Sequence, residues 1–154
     1  MRLTDILTLD CVKMPLSATD KKSAIAEMVD IVNAAGKLKD RSLMLRATLE
    51  REATRTTGIG NGLAVPHGKC AAVSELVMAV GKPSQPIDFE SIDGKPVSII
   101  IFLASPPDKT GPHIQALARI SRLMTDQRFR HAIDAAATAQ QVFEVFSAAE
   151  TGEK

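Results

Sequence analysis

Two histidines stand where an imidazole could do chemistry. His67 lies between Pro66 and Gly68, and His113 follows Gly111-Pro112 at the opening of a helical pattern. An unperturbed imidazole, with a pKa of about 6.5, is largely neutral in the cytosol and is a competent nucleophile. Pro66 fixes the backbone before His67, and Gly68 clears space beside the ring. Accepting a phosphoryl group requires such a nucleophile and, around it, donors for the three equatorial oxygens. Three sources of donors are within reach of the sequence. Gly58, Gly60 and Gly62 alternate along Thr56-Thr57-Gly58-Ile59-Gly60-Asn61-Gly62, a backbone that can bring phosphate-binding N–H groups close to an anion without side-chain obstruction. His113 sits at a helix N-terminus, where free N–H groups and the dipole favour negative charge. Arg51 could hold a phosphate through its guanidinium.

Each of these features also has a plainer reading. A histidine can be a satisfied core residue, alternating glycines can make a tight turn, and an arginine can be a helix-surface charge. His131, beside Arg130, reads as a solvated surface residue and is given no role. Other chemistries fail on spacing. A dinucleotide fingerprint needs a strand before the glycines, a helix after them and a glycine where Leu63 stands. A phosphate-loop motif needs glycine at the position of Leu63 and Ser or Thr at that of Cys70. His67 and Cys70 have a zinc-like gap, but only the distant Cys11, His113 and carboxylates could complete the set, so no metal is expected. No Gly-x-Ser-x-Gly elbow occurs.

The elements that must position the histidines alternate between strand and helix periods with no linker or repeat, which predicts a single α/β domain spanning residues 1–154. Thr19 and Asp20 cap a helix with Ile25, Met28, Val29 and Val32 on one stripe, ended at Gly36. A second helix runs from Asp40 to about Ala53. Its Leu43, Ala47 and Arg51 recur every four residues, placing Arg51 on the inward face next to the glycine segment. That segment is expected to be a loop feeding a short buried strand, Leu63-Ala64-Val65, which stops at Pro66 and leaves His67 at its exit. Strands follow near Leu76 to Val80 and at Val97 to Ala104, the latter apolar enough to be central and covered on both faces. Pro112 opens a helix to about Thr125 whose stripe is His113, Leu117, Ile120 and Met124. Helices around Phe129 to Ala136 and Gln140 to Ala148 complete the domain.

Composition narrows the classes of function. With 154 residues and 16.5 kDa, scaling relations give roughly 7,500 Å² of folded surface, enough burial for a real core. The net charge is +1 and all five aromatic residues are Phe, so neither a field for phosphate backbones nor a platform for stacked bases exists, and nucleic acid is not an expected partner. The longest apolar run, Ile99 to Ala104, is far short of the ~20 residues that cross a bilayer, so no membrane insertion is expected. The N-terminus does not read as a secretory signal, and Cys11 and Cys70 are taken as reduced, both pointing to a cytoplasmic protein.

From Arg51 to Lys69 the sequence, REATRTTGIGNGLAVPHGK, resembles the type 2 enzyme IIA (EIIA) proteins of the bacterial phosphoenolpyruvate-dependent phosphotransferase system (PTS). Glu52, Ile59-Gly60, Leu63-Ala64-Val65 and Pro66-His67-Gly68 carry the likeness, which continues from Pro86 to Met124. Fructose/mannitol and nitrogen-regulatory branches share this domain; TGIGNG and DFESIDGKPV look closest to the nitrogen-regulatory form. Arg55, and Gly111-Pro112 before His113, depart from the residues commoner in relatives.

The resemblance implies an α/β/α sandwich around a mixed central sheet. It also implies that His67 accepts a phosphoryl group from the phosphohistidine of HPr or its nitrogen-branch counterpart, with His113 as second active-site histidine and Arg51 as the family arginine. No cofactor, nucleotide or magnesium is then needed. Transfer is expected in line onto His67, with the glycine amides, His113 and Arg51 sharing the charge, in a shallow apolar depression that admits a donor protein. Two roles follow: a regulator whose phosphorylation state alters its binding to target proteins, favoured because the chain has no room for a fused EIIB or membrane domain, or a sugar-specific subunit that passes the group to an EIIB cysteine.

Overall fold

The computed structural model describes residues 2–152, and its accessible surface of 7577 Å² is close to the value the chain mass predicts for one domain. Two 3₁₀ turns, Leu3–Asp5 and Leu9–Cys11, lead into β1 (Val12–Leu16). Helices α1 (Lys21–Ala34) and α2 (Arg41–Thr54) follow, with Asp20 and Asp40 accepting at their N-caps from the N–H groups of Ser23 and Leu43. Then come β2 (Gly58–Gly60), β3 (Leu63–Ala64), β4 (His67–Lys69), β5 (Val77–Pro83) and β6 (Ile99–Ser105). The chain closes with α3 (Thr110–Thr125), α4 (Gln127–Ala135) and α5 (Ala139–Gly152).

The sheet is mixed. Its order is β1-β5-β6-β3-β2, with β4 also on β6; β1 runs parallel to β5, β5 antiparallel to β6, and both β3 and β4 parallel to β6. Every residue of β6 is buried, as its unbroken apolar run requires of a central strand. Helices α1 and α2 pack on each other and on β5 and β4, while α3, α4 and α5 pack in succession and reach the sheet through β6 and β1. The two helix groups therefore form the outer layers of an α/β/α sandwich. Lys82 ties the layers together, its ammonium donating to the carbonyls of Ile133, Asp134 and Ala136 at the end of α4, at 2.8, 2.9 and 2.9 Å.

Four local expectations need correction. β1 leaves no strand pattern in the sequence, because Lys13 and Pro15 break its apolar run; at the sheet edge a proline is tolerated. Gly58–Gly60 is no loop but a strand, paired antiparallel with β3 through the turn at Asn61-Gly62, both of which have positive φ. Pro66 interrupts the strand without ending it, since pairing with β6 resumes at His67. Finally, α3 starts at Thr110, so Pro112 lies within its first turn.

Candidate functional site

The interruption at Val65-Pro66 builds the site. Leu63 and Ala64 pair with Ile99 and Ile100, and His67 to Lys69 pair with Leu103 to Ser105, so β3 and β4 are two pieces of one path along β6. Between them, the Val65 N–H donates to the Thr57 carbonyl at 3.0 Å and the Pro66 carbonyl accepts from Leu103 N–H at 3.2 Å. The Val65 carbonyl meets the ring of His67, 2.9 Å from Nδ1. A carbonyl can only accept, so Nδ1 carries the proton and the lone pair resides on Nε2. Burial pushes the His67 pKa below its ordinary value; the Val65 carbonyl and Glu52 oppose this and Arg51 reinforces it. The net result is a neutral ring with a defined tautomer.

The stripe of α3 brings in His113. Its buried members are His113, Ala116, Ile120, Leu123 and Met124, with Leu117 half-buried, so the helix seats this histidine against the sheet. The two imidazoles meet edge to face, with centroids 5.1 Å apart and planes at 67°. Burial pushes the His113 pKa down to about 4, helped by His67 and Lys69. Its Nδ1 is buried and without a hydrogen-bond partner among the described residues. A buried orphan polar atom is costly, and here it lies in the ring beside the neutral imidazole of His67. Lys69 reaches from β4 to α3, its ammonium donating to Thr110 Oγ1 at 2.8 Å.

Arg51 is placed differently from its expected face. The buried residues of α2 are Met44, Thr48 and Glu52, one position on from Leu43, Ala47 and Arg51. Arg51 is half-buried beside that stripe, and its Nη1 donates to the Arg55 carbonyl at 2.9 Å, yet its charge still acts on His67. Gly68 also has another reason. A Cβ there would lie 2.5 Å from Thr48 Oγ1 and 2.7 Å from Met44 Sδ, so the missing side chain makes room for α2, not for the ring. The glycines are spread out. Gly60 and Gly62 lie against Asp93 and Ser98 near the start of β6, where Leu63 pairs with Ile99. His67 pairs with Leu103, four residues and roughly 13 Å along that strand. The structure thus brings together His67, His113, Lys69 and the end of α2, and leaves Gly60 and Gly62 at the opposite end of the path.

Glu52 was present in the sequence motif without a role. Its buried carboxylate accepts from Thr57 N–H at 2.7 Å and Thr57 Oγ1–H at 2.6 Å, and pairs with Lys21 Nζ at 3.0 Å. A charged residue inside a run of helical core positions was the available signal. Cavities of about 1030, 840 and 440 Å³ lie away from the two histidines, between α4 and α5, between α1 and α2, and beside Asn61 and His131. Among the described residues no group of three or more His, Cys, Asp or Glu could hold a metal ion, and no helix is long and apolar enough to cross a membrane.

The α/β/α sandwich that carries these two imidazoles has the fold of IIA proteins of solved structure. A crystal structure of the nitrogen regulatory protein IIA-Ntr from Neisseria meningitidis superimposes with a TM-score of 0.85 at 27% identity, covering 92% of this chain and 97% of that one. Over residues 5–149 the sequence matches the family described as "Phosphoenolpyruvate-dependent sugar phosphotransferase system, EIIA 2", and the chain belongs to that family. It is 33% identical over 147 residues to a PTS system fructose-specific EIIABC component of Bacillus subtilis, covering 96% of this chain but 23% of that protein. It is 32% identical over 147 residues to a nitrogen regulatory protein of Bradyrhizobium diazoefficiens, covering 96% of this chain and 95% of the relative. The chain thus spans less than a quarter of one relative and nearly all of the other.

Proposed function

We propose that Nε2 of His67 accepts a phosphoryl group from the phosphohistidine of an HPr-like carrier protein. The observation that carries this reading is the 2.9 Å contact between His67 Nδ1 and the Val65 carbonyl, which commits the lone pair to Nε2. The P–N bond of the donor breaks as the Nε2–P bond forms. The donor ring, protonated on its other nitrogen, departs as neutral imidazole, and the proton on His67 Nδ1 stays at Val65. His113, orphaned at Nδ1 and 5.1 Å away between centroids, supplies a partner for a phosphoryl oxygen. Arg51 and Lys69 add positive charge to the surround. Of the glycines, Gly58 pairs with Ala64 but gives its N–H to Thr56 Oγ1 at 3.1 Å, and Gly60 and Gly62 lie farther along the path, so the glycine amides are not the main support of the phosphoryl group. No cofactor takes part.

The likeness to nitrogen regulatory proteins in sequence and in solved structure favours a cytoplasmic regulator whose phosphorylation state alters its binding to other proteins. The likeness to a fructose-specific component supports the second reading, transfer onward to an EIIB cysteine. Intact-mass measurement after mixing with phosphoenolpyruvate, enzyme I and HPr tests the chemistry: one phosphoryl group is expected on the wild type and none on His67→Ala. A wild-type pattern in His67→Ala refutes it. Phosphotransfer to purified EIIB proteins, set against capture of partners by the two phosphorylation states, decides between the roles.

A further inference from the structure

A carboxylate inside an apolar layer demands a reason, because burying a charge is costly unless it is paired and hydrogen-bonded. Glu52 is 7% exposed and sits on the buried stripe of α2 below Met44 and Thr48. Packing alone would be served by leucine or methionine. Both of its oxygens are instead spent on one residue, Thr57, with Lys21 of α1 neutralising the charge. Lys21 is itself anchored, 3.5 Å from Glu90 and 5.4 Å above the Phe89 ring.

The Thr57 carbonyl accepts from Val65 N–H at 3.0 Å, and the next group along, the Val65 carbonyl, holds Nδ1 of His67 at 2.9 Å. Thr57 is 4% exposed and Val65 3%, so water cannot replace a lost link. Val65 is thereby gripped at its N–H through Thr57 while its carbonyl, one peptide further on, is aimed at the nucleophile. Val65 lies where the pairing of the strand with β6 is interrupted, so on that side no ladder holds it and the contact to Thr57 carries the positioning.

We propose that Glu52 is a positioning residue for the His67 imidazole, acting through Thr57 and the Val65 peptide to keep the proton on Nδ1 and the lone pair on Nε2. The inference rests on the proposed phosphoryl-acceptor role of His67 for its consequence, and on hydrogen bonding alone for its geometry. Its test separates the two.

The tautomer of His67 is read from ring ¹⁵N chemical shifts, which need no phosphoryl donor. The nucleophile is then probed with phosphoramidate, a small donor that needs no protein docking and loses ammonia as the Nε2–P bond forms. Glu52→Met removes both links to Thr57 at similar volume, and it is expected to give mixed tautomers and a fall in rate on the order of 10–100-fold. Glu52→Gln restores them, its Oε1 accepting from Thr57 N–H and its amide donating to Thr57 Oγ1, and should keep the wild-type tautomer. Thr57→Val cuts the Oγ1 link alone and should shift the tautomer in the same direction as Glu52→Met, by less. Lys82→Met, which loosens the far end of the sheet, controls for lost stability and should leave the tautomer unchanged. A pure Nδ1–H tautomer with the wild-type rate in Glu52→Met overturns the proposal; if that variant does not fold, an unchanged tautomer in Thr57→Val overturns it. A wild type that resists phosphorylation at His67 while its tautomer still depends on Glu52 upholds the positioning role and overturns the phosphocarrier reading.

Discussion

Acidification should unfold this protein in a window that belongs to its histidines. The pKa of His113 falls from 6.5 to about 4 on burial, so between those values the unfolded chain binds a proton that the folded chain refuses. Stability rises with pH wherever the unfolded state holds more protons, so the contribution is complete above 6.5 and is lost as pH drops through the window. At pH 4.5 the difference between these two titrations costs about 3 kcal/mol, most of the full effect reached once both forms are protonated. This is an upper limit, because a cation can recruit water by local relaxation. His67, also held below its ordinary value by burial, adds to the same slope. Carboxylates act lower: backbone N–H groups of Ser23 and Arg128 hold Asp20 and Asp126 below the usual range, so their contributions vanish only below about pH 4. The assay is urea unfolding at pH 7.5, 6.0 and 4.5 for the wild type and His113→Gln, with ring proton titration by NMR. The variant should lose most of the slope between 6.0 and 4.5. An unchanged slope, or a His113 midpoint at or above 6.5, refutes the reasoning.

Other changes probe the same architecture. Removing the Lys69 ammonium, one cause of the low His113 value, should raise the His113 midpoint in Lys69→Met, as read by the same NMR titration. In Gly68→Ala the new methyl meets Thr48 Oγ1 at 2.5 Å and Met44 Sδ at 2.7 Å. An overpacked contact of this kind costs about 1–3 kcal/mol, lowering Tm by roughly 2–4 °C per kcal/mol, and Thr48→Ala in the same chain should recover part of the loss. Lys82→Met strips the donor from three carbonyls at the end of α4 and should cost about 2 kcal/mol in urea unfolding.

What the sequence makes legible here is governed by range. Both histidines could be found because their signals are local: a proline and a glycine flank His67, and a four-three-four spacing follows His113 down α3. Asp20 and Asp40 likewise announce their helices, and the run in β6 announces a covered strand. The remainder depends on pairs distant in the chain. Arg51 and Glu52 differ by one position, about 100° on a helix, and only the packing of α2 on Gly68 selects which of them faces inward. Gly60 and Gly62 look like a cradle near His67 in sequence, but the parallel path along β6 carries them to the opposite end. β1 has its partner β5 nearly seventy residues away, and Lys82 its carbonyls fifty or more, so neither leaves a local trace.

The break between β3 and β4 also explains how a ring that lies on a strand can be oriented by the backbone beside it. In an uninterrupted ladder each backbone group faces a neighbouring strand, and none is free to orient a side chain two residues along. Pro66 has no N–H to give and its carbonyl accepts from Leu103, while the Val65 carbonyl is free for the imidazole because Thr57 N–H, opposite Val65, goes to the Glu52 carboxylate. The missing ladder bond is therefore the one that fixes the tautomer. Pro66→Ala, which frees the backbone and adds a donor without moving any charge, should disturb the ring orientation of His67 and, as the Val65 contact weakens, lower its pKa further. The ¹⁵N shifts would show this as a second tautomer. A single, unchanged Nδ1–H form in Pro66→Ala would mean that the Val65 carbonyl is positioned by Thr57 alone.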